Sequence, residues 1–373
     1  MLRFRGYVRP ILYDTMTGGI SDVPYRHTRG ITEVDVTLSP CDSLLFCLEP
    51  AGEMAPLVPL VPPRPTVGRL ALPSRVSYTL SEDNVLVLDM AEWSEDGVIW
   101  QGREELLRID LALRRRYGYP RADGTDVQPW VIGEAPPERC CRLRFRFRST
   151  LAASCRLAYE EALTVTLNGR EVPLTPDGTY IDAAIRTVPL PPLVRGENVL
   201  EILAPLGKRV SLENYFLLGD FGVTVDGTEA RITSRPHTLT FGSLTERGLP
   251  FYGAAVTYRI PFHLDEAAAI RVRTGRYEGA VIVAHLDGHP VGRIAFHPYT
   301  LVVEGLSGGS HLLELTLYAT RVNTFGPHHA FGGVAYKGPM SWYTGGDGWS
   351  YEYGLHPVGL MRTPVIEVLA PQE

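Results

Sequence analysis

Apolar and polar residues alternate in short runs along most of the chain, and these runs are rich in Val, Leu, Thr and Tyr. Gly, Pro, Asn-Gly and Asp-Gly separate one run from the next. Successive side chains of a strand point to opposite faces of its sheet, so the alternation predicts short antiparallel strands joined by tight turns. We therefore expect an all-β protein built from sandwiches.

One segment, residues 103–118, has a helical period instead. Acidic residues lie at its start and three arginines near its end, and a glycine and a proline follow as stop signals. The pattern predicts a single inserted α-helix that packs between domains, with these apolar residues on one face: Leu106, Ile109, Leu113 and Tyr117.

The spacing of the strands and breaks divides the chain into three units. Residues 1–68 form a small β domain that ends in the Pro-rich tract "PLVPLVPPRP" (56–65), which favours polyproline structure and marks a boundary. Residues 69–224, which include the helix, and residues 225–373 then form one larger unit each.

The two larger units appear as copies of one pattern. "LTVTLNGREVPL" (163–174) corresponds to "VIVAHLDGHPVGRI" (281–294), since each is a strand, a two-residue turn and a returning strand. "LVRGENVLEIL" (193–203) corresponds in the same way to "GLSGGSHLLELTL" (305–317). The repeat predicts two sandwiches of the same topology.

Composition excludes several classes of protein. Of the 373 residues, 45% are hydrophobic and 21% charged, as in ordinary globular proteins, so disorder is excluded. With a net charge of −6, nucleic acid is not an expected partner, and the arginines of "RLRFRFR" (142–148) are interpreted as a solvated strand face. The sequence shows neither a signal peptide nor an apolar run that would span a membrane, so we expect a cytoplasmic protein.

The cysteines suggest neither disulfides nor a zinc site. Their number is odd and no pair has the CxxC spacing, so buried free thiols in a reducing compartment are expected. The residues are Cys41, Cys47, Cys140, Cys141 and Cys155.

Histidines cluster late in the chain but do not predict a metal site. His285 and His289 flank the turn of a hairpin, which projects them to opposite faces. The adjacent His328 and His329 diverge in a strand and converge only in an irregular loop, and a third ligand is missing. Loops of sandwiches also hold structural Ca²⁺ in some proteins, so a Ca²⁺ site stays open although no EF-hand ligand pattern is present.

Two chemical interpretations of the late segment remain. Glycoside hydrolysis needs two facing carboxyl groups, for which Asp347 and Glu352 are the local candidates. Sugar binding needs an exposed aromatic face beside planar polar groups. Candidates for that role are Asn323, His328, His329, Trp342, Asp347 and Trp349. The alternation in "WSYEYGL" (349–355) favours instead a strand whose Trp349, Tyr351 and Tyr353 fill the core.

A strand, an Asn-Gly turn, a strand and then "RGENVLEI" (195–202) is similar to the galactose-binding-like jelly-roll domain of glycoside hydrolase family 2 enzymes. The phrases "YFLLGDFGV" (215–223), "LTERGLPFYGAAVTYR" (244–259), "NTFGPHH" (323–329) and "GWSYEYGLHPVGL" (348–360) resemble the C-terminal region of large bacterial glycoside hydrolases. These are of the family 2-like or family 106-like rhamnosidase type.

The resemblance implies an accessory sugar-binding region: a small β domain like the one that follows the catalytic barrel, then two galactose-binding-like jelly rolls. Cys41 and Gly19 depart from the usual residues, an aromatic and a glutamate. Nothing resembles the barrel, so no catalytic residue can be transferred and the chain looks like an enzyme's tail made as a fragment or subunit.

We expect a non-catalytic module that binds carbohydrate or supports a barrel. A second hypothesis is a structural subunit whose exposed β edge pairs with a separate catalytic chain or with another copy. A third is a hydrolase that acts by itself through Asp347 and Glu352.

Overall fold

The computed structural model describes residues 1–15, 18–38, 43–53, 64–120, 129–331 and 344–371. Antiparallel sheets make up nearly all of its regular structure, so the all-β prediction is confirmed. In the described ranges, no helix is long and apolar enough to cross a membrane.

Strands are numbered in chain order. The first fifty residues fold into two three-stranded sheets, of order β1-β5-β4 and β3-β2-β6. The buried hydroxyl of Thr32 connects them, since it donates to the carbonyl of Gly6 (2.8 Å) and accepts from the N–H of Val8 (2.9 Å). The strands up to residue 80 are β1 Leu2–Arg5, β2 Val8–Tyr13, β3 Ile20–Asp22, β4 Arg26–Thr28, β5 Ile31–Val34, β6 Leu45–Pro50, β7 Thr66–Leu70 and β8 Arg75–Leu80.

A larger sandwich follows, which we call the first sandwich. One sheet has the order β11-β10-β12-β18-β14-β15, with β21 beside β12 and β20 beside β21; the other has the order β16-β17-β13-β19-β9. The strands are β9 Asn84–Leu88, β10 Met90–Ser94, β11 Gln101–Glu105, β12 Arg139–Ser149, β13 Arg156–Tyr159, β14 Thr164–Leu167, β15 Arg170–Glu171, β16 Gly178–Tyr180, β17 Asp182–Pro189, β18 Gly196–Leu206, β19 Tyr215–Gly219, β20 Gly222–Asp226 and β21 Glu229–Thr233.

The second sandwich has sheets of order β22-β8-β23-β29-β26-β27 and β28-β24-β31-β7, and β25 pairs with β30. Its remaining elements are β22 Thr238–Thr240, a 3₁₀ turn at Leu244–Glu246, β23 Ala255–Leu264, β24 Ala268–Arg273, β25 Tyr277–Glu278, β26 Val281–Leu286, β27 His289–Ile294, β28 Thr300–Leu306, β29 Gly309–Tyr318, β30 Gly359–Leu360 and β31 Val365–Leu369. The described residues also form three helices: α1 Leu106–Tyr117, α2 Pro129–Ile132 and α3 Val322–Phe325.

Strand order confirms the predicted repeat. The path β10-β12-β18-β14-β15 in the first sandwich matches β8-β23-β29-β26-β27 in the second, and β17-β13-β19-β9 matches β28-β24-β31-β7. Both predicted turns form with positive φ angles, at Asn168 and Gly169 (51° and 76°) and at Asp287 and Gly288 (50° and 80°). His289 pairs with Leu286 across the second turn, as the hairpin predicts.

The strands are not divided at the predicted boundaries, because the first sandwich is inserted into the second. Strands β7 and β8, residues 66–80, pair with β31 and β23 of the second sandwich. Strands β20 and β21 extend the first sandwich to residue 233. The ranges 1–68, 69–224 and 225–373 are corrected accordingly, since β7 begins at Thr66 and local alternation does not say which distant strand completes a sheet.

Helix α1 confirms the predicted helix, although it begins three residues later. Gln101–Glu105 instead forms β11, which pairs with β10. Leu106, Ile109 and Leu113 are at most 1% exposed and join the core of the first sandwich. Gly118 ends the helix in the left-handed region (φ 69°).

The cysteines fit the prediction in part. Cys141 and Cys155 are buried free thiols, and burial raises the pKa of each to about 12. Cys47 and Cys140 are free but exposed, which corrects the expectation of burial for these two. Cys41 lies outside the described residues.

Candidate functional site

The segment after β29 is held in one conformation by buried hydrogen bonds. Asn323 is 1% exposed, and its amide donates to the carbonyl of His356 (2.7 Å) and accepts from its N–H (2.9 Å). The hydroxyl of Thr324 donates to the carbonyl of Phe251 (2.7 Å). At Gly326 a Cβ atom would lie 2.1 Å from a backbone oxygen, so a side chain does not fit. These hydrogen bonds and the close packing at Gly326 therefore fix the backbone that leads to the two histidines.

His328 and His329 each place one ring nitrogen against a backbone carbonyl. Nε2 of His328 lies 2.9 Å from the oxygen of Asn323, and Nδ1 of His329 lies 3.1 Å from the oxygen of Glu352. A carbonyl only accepts, so these nitrogens carry the hydrogen. The other two nitrogens both lie 3.4 Å from Oδ2 of Asp89. The imidazoles thus converge on one carboxylate oxygen, in the irregular loop that alone permits convergence of neighbouring residues.

Asp89 follows β9 and is 2% exposed. Its Oδ1 accepts a hydrogen bond from the hydroxyl of Tyr353 (2.7 Å). Its Oδ2 and Nε2 of His329 have no hydrogen-bond partner among the described residues, because the 3.4 Å contacts lack hydrogen-bond geometry. Burial opposes ionisation of Asp89, but the two imidazoles outweigh it and hold the pKa of this carboxyl well below its usual range.

Glu105 is a second buried carboxyl beside this group, at 5% exposure. Its Oε2 accepts a hydrogen bond from the indole N–H of Trp349 (3.0 Å). Burial is the largest influence and raises the pKa of Glu105 to about 7, although the charge of His329 acts in the opposite direction. Burial also disfavours the charged form of His329, yet Asp89 and Glu105 raise the pKa of this imidazole above its ordinary value.

We call Asp89, Glu105, His328, His329 and Tyr353 the buried polar cluster. Its carboxylates come from the first sandwich, and its imidazoles and phenol come from the segment that follows β29. The cluster therefore connects that segment to the first sandwich. Within the described ranges, no group of three or more His, Cys, Asp or Glu side chains could hold a metal ion.

Three of the predicted sugar-binding side chains are buried. Asn323, His328 and His329 are between 1% and 5% exposed, which leaves them no surface for a ligand to contact in this conformation.

The other predicted residues are half-buried or exposed, or they lie outside the described residues. Trp349 is half-buried, with the guanidinium of Arg108 4.2 Å from the centre of its ring. Asp347 and Glu352 are exposed in the same stretch of turns. Trp342 lies outside the described residues.

The predicted strand at 349–355 does not form. The N–H groups of this stretch bond to neighbouring turns instead, for example Ser350 to the carbonyl of His329 (2.9 Å) and Gly354 to that of His328 (2.6 Å). Of its aromatic side chains, Tyr353 packs against the core and Tyr351 is 41% exposed. Alternation in a short aromatic run did not decide between strand and turn.

One feature of the sequence indicates this cluster. Asp89 interrupts the apolar run "NVLVLDMA" (84–91), and a charged residue in a buried run usually has a partner. The partner could not be identified, because its histidines lie more than 230 residues away along the chain.

An open groove lies on the outer face of the first sandwich, where β12 turns its arginines to solvent. Arg144 lies directly across from Glu92 of β10 and Glu201 of β18, with salt bridges of 3.3 and 2.6 Å. The predicted solvated strand face at 142–148 is confirmed by the alternating burial of β12. We call the space beside it the tryptophan groove, of about 270 Å³, lined among others by Asp96, Trp100, Arg142, Arg144, Thr164, Thr166 and Glu201.

One wall of the tryptophan groove is the loop between β10 and β11. Oδ1 of Asp96 accepts hydrogen bonds from the N–H groups of Ile99 and Val98 (2.8 Å each), and these bonds lower the pKa of Asp96. The side chains of Val98 and Ile99 in the same loop are 80% and 65% exposed. Trp100 ends the loop with the guanidinium of Arg144 3.6 Å from its ring centre. The loop is thus ordered before any ligand arrives.

The second sandwich repeats the ion pair of this groove but not its tryptophan. Arg259 lies across from Glu314 at 3.5 Å, in the position that Arg144 and Glu201 occupy in the first copy. After β8, however, the chain enters the first sandwich, so no loop equivalent to residues 95–100 follows.

Neither a protein-family model nor a curated protein matches the chain. Among solved structures, a rhamnosidase from Novosphingobium sp. PP1Y is 18% identical over 61% of this chain and 22% of its own, with a TM-score of 0.26. A β-D-mannosidase from Dictyoglomus thermophilum is 15% identical over 66% of this chain and 32% of its own, with a TM-score of 0.25. An exo-chitosanase from Amycolatopsis orientalis is 9% identical over 63% of this chain and 29% of its own, with a TM-score of 0.26.

The matched part is thus less than a third of each of these glycoside hydrolases.

Proposed function

We propose that this chain is a carbohydrate-binding module and that glycan binds in the tryptophan groove. The observation that carries the proposal is the set of groups in that groove: an indole, guanidinium groups, carboxylates and threonine hydroxyls on a paired sheet. Sugars need an apolar surface for their C–H faces and planar polar groups for their hydroxyls. The indole of Trp100 supplies the apolar surface, and the Arg144–Glu201 pair supplies the planar polar groups.

The resemblance to accessory regions of glycoside hydrolases agrees with this proposal but does not fix it, since folds host many functions. Hydrolysis by the chain itself is not part of the proposal. Asp347 and Glu352 are exposed turn residues, and neither lines the groove.

The test is calorimetric titration of the protein with a panel of plant and bacterial oligosaccharides. We expect Trp100→Ala and Arg144→Ala each to weaken binding by about tenfold to a hundredfold. This is the change in affinity expected when one charge-assisted hydrogen bond, or a contact of similar strength, is lost. Arg259→Ala is the matched control, because it removes the equivalent arginine of the second sandwich.

Unchanged affinity in both groove variants would place binding elsewhere and refute the proposal. Absence of binding to every glycan, combined with copurification of a catalytic barrel protein, would favour the structural-subunit hypothesis instead.

A further inference from the structure

Three arginines meet where β12 ends, next to the tryptophan groove. Arg148 of β12 lies directly across from Arg231 of the parallel strand β21. Arg195 precedes Gly196, which pairs with Ser149. Arg148, Arg195 and Arg231 line one shallow groove, which we call the arginine end, and Glu197 is the single carboxylate among its described lining residues.

The acids near the arginine end do not balance it. Glu197 of β18 lies directly across from Arg148, but its carboxylate is 3.2 Å from the guanidinium of Arg146, two residues earlier on β12. Arg231 has a carboxylate of Asp226 at 3.5 Å, but that side chain is 82% exposed. Among the described residues, Arg148 and Arg195 form no ion pair with a carboxylate, and Nε of Arg195 donates to the carbonyl of Thr150 (2.8 Å).

Arg148 thus has a like charge, Arg231, across from it on one side and a carboxylate, Glu197, on the other, so three guanidinium groups share one lining carboxylate. Like charges directly opposite on neighbouring strands repel, and the protein as a whole carries a net charge of −6. An anion bound between the guanidinium groups would relieve the repulsion. Guanidinium groups bind planar carboxylates and other oxyanions through paired hydrogen bonds.

We propose that the arginine end binds the anionic group, a carboxylate or a sulfate, of an acidic glycan. This inference rests on the proposed function, since the neutral part of the same glycan occupies the tryptophan groove. Arg144 and Arg148 are four residues apart on one strand and point to the same face, so the two places are about 13 Å apart along β12. A short oligosaccharide can span that distance.

The experiment compares three ligands of equal length by calorimetry: an oligogalacturonate, a sulfated galactan fragment and a neutral galactan fragment. We expect at least one acidic ligand to bind more tightly than the neutral one, with an advantage that falls as salt is added. Arg148→Gln and Arg231→Gln should each weaken binding of that acidic ligand about tenfold to a hundredfold and leave neutral binding unchanged. The two acidic ligands distinguish carboxylate from sulfate recognition.

Arg259→Gln in the second sandwich is the matched control and should change the affinity for neither the acidic nor the neutral ligand. Folding of the variants is checked by thermal unfolding, where removal of one of two facing charges should leave Tm unchanged or higher.

Equal affinity for acidic and neutral ligands would overturn this inference and leave the glycan site intact. Binding of a single-stranded oligonucleotide that equals binding of the acidic glycan would also overturn it, because the site would then read charge alone. Failure of all three sugars to bind would overturn the proposed function together with the inference.

Discussion

Replacement of Glu105 by glutamine should make the protein more stable at alkaline pH. Glu105 is 5% exposed, and its pKa is raised from 4.5 to about 7. The folded chain therefore keeps a proton on this carboxyl between these two values, while the unfolded chain has lost it. The free energy of unfolding must fall as pH rises through this window. The contribution of the protonated carboxyl is fully lost above about pH 7.

The size of the effect follows from the same two values. A tenfold change in proton affinity corresponds to about 1.4 kcal/mol, so the ionised carboxylate costs at most about 3 kcal/mol at pH 8. His329 changes stability in the same direction, because its raised pKa gives a stabilisation that is complete below its unfolded pKa and is lost as pH rises through the folded one. Glu105→Gln also removes one carboxylate that supports this imidazolium, which offsets part of the gain.

Urea unfolding from pH 5 to pH 8 measures the effect. We expect Glu105→Gln to match the natural protein near pH 5 and to exceed it by up to about 3 kcal/mol at pH 8. The amide oxygen can still accept the hydrogen bond of Trp349, so packing is retained. Glu171→Gln, on the exposed strand β15, is the control and should leave the pH dependence unaltered. Parallel stability curves for Glu105→Gln and the natural protein would refute the reasoning.

Three further substitutions test the packing around the site by urea unfolding. Asp89→Asn should cost about 3–5 kcal/mol at pH 6, because it removes the buried charge that faces two imidazoles; a loss below about 1 kcal/mol would contradict the ion-pair assignment. Arg114→Met should cost a similar amount, since it removes the guanidinium that lies 2.6 Å from the buried carboxylate of Asp110 together with its hydrogen bonds to the carbonyls of Pro120 and Val210. Gly253→Ala should cost about 1–3 kcal/mol, because its Cβ would lie 2.6 Å from the hydroxyl of Thr324, whereas the control Gly345→Ala meets no atom of the described residues within 4 Å and should be neutral.

The candidate sites differ in how far the sequence could predict them. The histidines were found as a feature but interpreted as diverging or as sugar contacts, because the carboxylates they face are remote in sequence. Arg144 was correctly placed on a solvated strand face, since alternation alone decides that. Trp100 was not identified as a groove residue, because its exposure depends on the loop that precedes it and on the strand beside it.

Local pattern determined the all-β class, one helix within residues 103–118, the two Asn-Gly and Asp-Gly turns and the internal repeat. Each of these depends on residues within a few positions of one another, so each is written in a short stretch of chain. Only the tertiary structure decided that β7 and β8 complete the second sandwich around the first, and that Asp89 meets His328 and His329. Those outcomes depend on which distant surfaces bury one another, and the alternation of apolar and polar residues is the same whichever partner a strand finds.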